Sequence, residues 1–123
     1  MSKEERKLFL FDIDGTLFDN EHNEVPNSTL VALQELAQKH DICIATGRAR
    51  FMLYSIEALL PYVKYFILIN GRYVLEKEKV LFEEPMPVSM LEKLIKDLEE
   101  LHIAYGFEGS DDEAISRIDE KVI

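Results

Sequence analysis

A chain of 123 residues, 47% of them hydrophobic, can build one core but not two full domains, and it is too apolar to be disordered. Its 24 acidic against 14 basic residues leave a net charge of −10, which argues against nucleic acid or an anionic membrane as partner while allowing a local phosphate site. The single cysteine, Cys43, cannot form an internal disulfide, and neither a signal peptide nor a bilayer-length apolar run is present, so a soluble cytoplasmic protein is expected.

The first element is the apolar run Leu8–Phe11, which leads directly into Asp12-Ile13-Asp14-Gly15-Thr16-Leu17. Such a run predicts a strand buried on both faces of a parallel sheet. Acids do not belong inside it, so they should stand where the strand emerges, the end at which open parallel sheets bind ligands. Gly15 ends the extended path, which lets Asp12 and Asp14 turn towards one point. Two carboxylates held together repel unless they share a proton or a cation. Mg²⁺ suits such a place, because it takes hard oxygen ligands and keeps waters that a phosphate can replace. One acid can then serve as nucleophile and the other can move a proton. A strand followed by an acidic turn without chemistry remains the alternative on these residues alone.

Further along, Pro26-Asn27-Ser28 supplies turn and capping residues for a helix over Thr29–Lys39. Leu30, Leu33 and Ala37 mark its inner side, widened by Val31 and Leu36. Ile42–Ala45 is a second short strand, and strand, helix and strand make a right-handed parallel crossover. That crossover delivers Thr46-Gly47-Arg48 to the same edge as Asp12. A threonine hydroxyl can donate to a phosphate, glycine lets the backbone approach, and arginine can bind it in two-point fashion. The same tripeptide can also be a plain strand-to-helix turn. A second helix is predicted over Arg50–Leu60, ended by Pro61, and a third strand over Tyr65–Ile69. Asn70-Gly71 then marks a tight turn.

Arg72–Leu75 and Val80–Phe82 predict a hairpin around Glu76–Lys79. Glu84-Pro85-Met86-Pro87 is a rigid connector that divides the chain. Ser89 with Glu92 forms a candidate capping box for a helix striped by Leu91, Leu94, Ile95, Leu98 and Leu101. Strands over Ile103–Phe107 and Ala114–Ile118 come next. The acids between them, around Asp111 and Asp112, are expected to be solvated turn residues rather than a metal site.

Asp12-Ile13-Asp14-Gly15-Thr16-Leu17 resembles the first motif of the haloacid dehalogenase superfamily, D-x-D-G-T-[LV], at every specified position. Thr46, one strand–helix unit later, resembles the second motif. Thr-Gly-Arg together with Asn70-Gly71 looks like the Cof-type branch, whose members dephosphorylate mainly small phosphometabolites. The resemblance covers nearly the whole chain but only the N-terminal portion of a complete member. It implies an α/β fold: a partial Rossmannoid parallel sheet with flanking helices and a β-hairpin over 1–86, then the start of an α+β cap over 87–123.

The function implied is a Mg²⁺-dependent phosphohydrolase acting on small phosphorylated metabolites through an aspartyl-phosphate. Asp12 is then the nucleophile and Asp14 the proton donor and acceptor. Thr46 and Gly47 hold the phosphoryl group, Arg48 and Asn70 touch the substrate, and Mg²⁺ sits on Asp12 and the backbone carbonyl of Asp14. Complete members add a lysine and further acids from later strands, and Lys64 and Lys77 do not stand in that context. Weak or absent turnover is therefore expected of this chain alone. Without later strands Leu8–Phe11 becomes a sheet edge, which implies self-association or pairing with a complementary segment. A non-enzymatic association module with a vestigial site is the alternative function. A phosphate-accepting receiver domain fits less well, since the third strand ends Leu68-Ile69-Asn70 without an acid.

Overall fold

The computed structural model describes residues 5–116. Strands β1 (Leu8–Phe11), β2 (Asp41–Ala45), β3 (Tyr65–Leu68), β4 (Tyr73–Glu76) and β5 (Lys79–Glu83) form one sheet in that order. β1 and β2 are parallel, as are β2 and β3; β4 and β5 add as an antiparallel hairpin. Helix α1 (Asn27–Ala37) links the first parallel pair, and a 3₁₀ segment, Arg50–Tyr62, links the second. Both crossovers step in the same direction, so right-handed connections place both on one face of the sheet, where they touch each other.

That face carries the core. Phe11 pairs with Ile44, Ile44 with Phe66, and Phe66 with Leu75, which sets one apolar row across four strands. Leu33 of α1 and Leu53, Ile56 and Leu59 of the 3₁₀ segment cover it. Cys43 is buried among these strands and acts as a small hydrophobe; burial pushes its thiol pKa up. Beyond the hairpin, α2 (Val88–Glu100) leads to the short antiparallel pair β6 (Gly106–Glu108) and β7 (Glu113–Ile115). Among the described residues no helix is long and apolar enough to cross a membrane.

Several elements depart from the sequence expectations. β1 is not buried on both faces: it ends the strand order among the described residues, and Leu8 and Leu10 remain 51% and 54% exposed. α1 starts two residues early, because the carbonyl of Pro26 accepts the Thr29 and Leu30 amides without a side-chain cap. It stops at Ala37, and Val31 faces solvent.

The second helix is 3₁₀ rather than α, and Pro61 lies inside it. It is two short helical pieces joined at Ile56, whose backbone leaves helical angles (φ −117°, ψ 23°), and Leu53, Ile56 and Leu59 are its buried residues. β3 stops at Leu68, because Ile69, Asn70 and Gly71 all take left-handed backbone angles. The hairpin turn tightens to Lys77-Glu78, with the Lys77 amide bonded to the Lys64 carbonyl.

The capping box at Ser89 does not form. α2 begins at Val88, and the Pro87 carbonyl takes the Leu91 amide. No residue of α2 is buried; Leu94 is 37% exposed, and Leu101, just past the helix end, 66%. β6 and β7 are shorter than expected, and the predicted continuation to Ile118 lies outside the described residues.

Candidate active site

Three parallel strands end on one edge, so the loops leaving β1, β2 and β3 are gathered there. Asp12, Ala45, Thr46, Gly47, Ile67, Asn70 and Gly71 line a single open cleft of about 410 Å³. Asp12, Thr46, Gly47 and Asn70 are thus brought together from three separate segments.

The loop after β1 is built around Ile13. Its side chain is fully buried, and its carbonyl accepts the amides of Thr16, Leu17 and Phe18 at 3.2, 3.0 and 2.9 Å. Gly15 takes φ +79°, so glycine is required here by backbone angle rather than by space. The Asp12 carboxylate accepts the Ile13 amide at 2.8 Å and has no cationic partner among the described residues. Asp14 points elsewhere. It does not line the cleft but forms a two-point pair with Arg48, Nε to Oδ2 at 3.2 Å and Nη2 to Oδ1 at 2.6 Å.

Thr46 is the one buried polar side chain among the described residues, at 8% exposure. Its Oγ1 accepts the Arg48 amide at 3.1 Å, which leaves the hydroxyl proton free to donate. Two backbone bonds pin the turn after β3 to this loop, the Ile69 amide to the Arg48 carbonyl and the Asn70 amide to the Thr46 carbonyl, both 3.1 Å. They hold Ile69 at φ +50°, a conformation that costs a β-branched residue about 1–3 kcal/mol. Gly47 packs against Asn70: a Cβ at 47 would stand 3.0 Å from Asn70 Oδ1, so that side-chain amide would have to shift by a few tenths of an ångström to admit one.

The donor set fits a hard cation. Asp12 offers an uncompensated carboxylate, and the Asp14 carbonyl accepts no backbone hydrogen bond among the described residues. Arg48 was expected at the substrate; here it does not line the cleft, and its Nη1 donates to the Met52 carbonyl at 3.0 Å and to Ser55 Oγ at 2.9 Å. Lys64 and Lys77 stand at the other end of the sheet. Lys64 lies 3.9 Å from both Asp41 and Glu76, and Lys77 donates to the Pro61 carbonyl.

Sequence reasoning missed three groupings. Ser55 gave no signal, being one hydroxyl in an apolar segment. Asp111 is not simply solvated: Arg50 donates to it through Nε at 3.0 Å and Nη2 at 2.9 Å, and that pairing raises the Arg50 pKa. Asp19, Glu21 and His22 also gather their ligand atoms within 4.8 Å of one another, but in an exposed turn outside the cleft. The Asp19 carboxylate there is occupied by the amides of Glu21 and His22 and by the His22 ring at 2.7 Å. The spacing Asp-x-x-His was the readable trace of it.

Comparison with known proteins shows the family. Residues 9–122 match the model of the haloacid dehalogenase-like hydrolase family. Over 95 residues the chain is 37% identical to a Bacillus subtilis protein named "Putative phosphatase YkrA", which covers 76% of this chain and 36% of that protein. A crystal structure of a hypothetical protein from Geobacillus kaustophilus superposes with TM-score 0.83 at 31% identity, over 94% of this chain and 45% of that one. The subclass IIB sugar phosphatase BT4131 superposes with TM-score 0.83 at 27% identity, over 96% and 46%. The chain therefore spans less than half the length of each of these three. Its motifs, its cleft and its match over residues 9–122 make it a member of the haloacid dehalogenase-like hydrolase family.

Proposed function

We propose that this chain carries the nucleophile half of a Mg²⁺-dependent phosphohydrolase acting on small phosphorylated metabolites. The observation that carries this reading is the convergence of Asp12, Thr46, Gly47 and Asn70 on one cleft. An Asp12 carboxylate oxygen bonds to phosphorus as the ester P–O bond breaks, and the leaving oxygen takes a proton from Asp14 once that side chain has left Arg48 and turned into the cleft. Water then attacks the aspartyl-phosphate, Asp14 takes its proton, and inorganic phosphate leaves with Asp12 restored. Thr46 Oγ and the Gly47 amide donate to the phosphoryl oxygens, and Asn70 contacts the substrate. Mg²⁺, when bound by Asp12 and the Asp14 carbonyl, supplies charge neutralisation. The name of the sugar phosphatase relative supports a phosphorylated sugar as the first substrate class to try.

The exposed β1 edge favours a second element of the proposal. A complementary polypeptide, equivalent to the part of the relatives that this chain does not span, adds to β1 and covers Leu8 and Leu10. Turnover by the chain alone is then weak, because positioning and charge neutralisation dominate phosphoryl transfer.

Hydrolysis of p-nitrophenyl phosphate with Mg²⁺ tests the chemistry. A low rate abolished by Asp12→Asn and by chelator is expected; a rate indifferent to Asp12→Asn overturns the reading. Isothermal titration with Mg²⁺ and phosphate separates it from an association module with a vestigial site, which binds neither. Light scattering at high micromolar concentration tests the edge: a stable monomer that ignores the complementary segment counts against docking, and a dimer assigns the edge to a second copy.

A further inference from the structure

We infer that Ser55 is a positioning residue for Asp14, acting through Arg48; its catalytic consequence rests on the phosphohydrolase reading, its geometry does not. A guanidinium is a rigid planar fork with five N–H donors. In Arg48 four of them are committed: Nε and one Nη2 hydrogen to the two oxygens of Asp14, and Nη1 to the Met52 carbonyl and Ser55 Oγ. The Nη1 acceptors both belong to the 3₁₀ segment, while Asp14 lies in the loop after β1. Arg48 is thus clamped at one end by an element packed into the core, and the other end presents a fixed two-point edge to Asp14. Its side chain is 23% exposed against 46% for Asp14, so the clamp is the more enclosed side of the pair.

The arrangement solves a specific difficulty. Asp14 is exposed and sits beside a glycine, so nothing in its own loop fixes the side-chain torsion. Here the Arg48 fork holds both Asp14 oxygens outside the cleft, so it sets the position from which Asp14 must turn to reach a leaving oxygen. Ser55 supplies the anchor from seven residues beyond Arg48, and the Met52 carbonyl supplies the other. Neither contact touches the cleft, which is why Ser55 belongs to orientation rather than to binding.

The test uses the full chain and three variants, Ser55→Ala, Ser55→Thr and Asp14→Asn. Nitrogen-edited NMR of the arginine side chains reads the clamp directly. Wild type is expected to show a slowly exchanging Arg48 Nε–H and hindered rotation of its Nη groups. Ser55→Ala and Asp14→Asn should each lose these features, and Ser55→Thr, which keeps the hydroxyl, should retain them. If Ser55→Ala leaves the Arg48 and Asp14 signals unchanged, or perturbs only core methyls such as those of Ile56 and Leu59, the inference is overturned. Where wild type turns over p-nitrophenyl phosphate, Ser55→Ala should lower kcat about threefold to tenfold at unchanged KM, with Ser55→Thr close to wild type. A rise in KM alone overturns the positioning role. If wild type has no turnover, the phosphohydrolase reading is decided by the Mg²⁺ and phosphate titration, and the NMR result still decides whether the clamp exists.

Discussion

The sheet unit and the α2–β6–β7 unit obey the same sequence rules and reach different ends. α2 has the cleaner amphipathic stripe, yet none of its residues is buried. Every buried side chain among the described residues lies between Ile13 and Leu75. The contrast teaches that periodicity selects the element, whereas burial requires a facing surface. α1 and the 3₁₀ segment have the sheet to face, while α2 has only two three-residue strands beyond it.

The largest expected effect comes from that contrast. Ile44→Ala empties a site at the centre of the row Phe11–Ile44–Phe66 and should cost about 2–5 kcal/mol. Leu94→Ala, on the exposed stripe, should stay within about 0.5 kcal/mol. Urea denaturation of both variants measures the difference. Equal losses would break the comparison, because α2 would then be packed on a surface in solution.

A smaller effect concerns the rim of the sheet unit. Asn70 sits at φ +53°, where asparagine is tolerated and alanine is strained. Asn70→Ala should destabilise by about 1 kcal/mol, and Asn70→Gly should recover the backbone part of that loss. Phosphate titration followed by NMR sharpens the point: Asn70→Gly should keep the fold but weaken phosphate binding, since it lacks the side chain beside Gly47. Unchanged binding would reduce Asn70 to a turn residue.

These two sites also mark how far the sequence could be read. Asp12 and Thr46 were legible as one site because parallel strands deliver their C-terminal ends to one edge whatever the loops do, whereas Asn70 was legible only through the family resemblance. The 3₁₀ segment was not legible. Its apolar letters suit one unbroken helix, and nothing in them marks the break at Ile56 or selects Leu53, Ile56 and Leu59 as the buried set. Both α-helix starts were misplaced for one reason: each helix begins directly after a proline of fixed φ, Pro26 or Pro87, so Asn27, Ser28 and Ser89 fall inside the first turn rather than at the cap. Arg48 and Arg50 were readable as cations, but their partners, Asp14 and Asp111, lie 34 and 61 residues away and depend on tertiary placement.

Arg50–Asp111 is also the described ion pair that ties the second unit to the first, and it supplies the next test. Asp111 is largely exposed, so Asp111→Asn should change global stability by no more than about 1 kcal/mol. Its effect should appear locally, as faster amide exchange in β6 and β7 with α1 and β2 unaffected. Equal acceleration in both units would mean that they unfold together, and the distinction between them would fail.

The smallest expected effect is a pH response confined to the turn after β1. His22 is held above its ordinary 6.5 by the Asp19 hydrogen bond and charge, so its contribution is complete below that value and fades as pH rises through the raised one. Asp19 is held below its ordinary 3.8, by the His22 ring first and then by the amides of His22 and Glu21. Its contribution is present above 3.8 and fades as pH falls through the lowered value. The turn should therefore be best ordered between about pH 4 and 6.5. Both groups are solvent-screened, so the readout is local: Glu21 and His22 amide protection, corrected for intrinsic exchange, should be greater at pH 6 than at pH 8. His22→Gln should abolish the difference while the melting temperature stays the same. A pH-dependent melting temperature that vanishes in His22→Gln would show instead that this exposed turn is coupled to the core through the loop that carries Asp12 and Asp14.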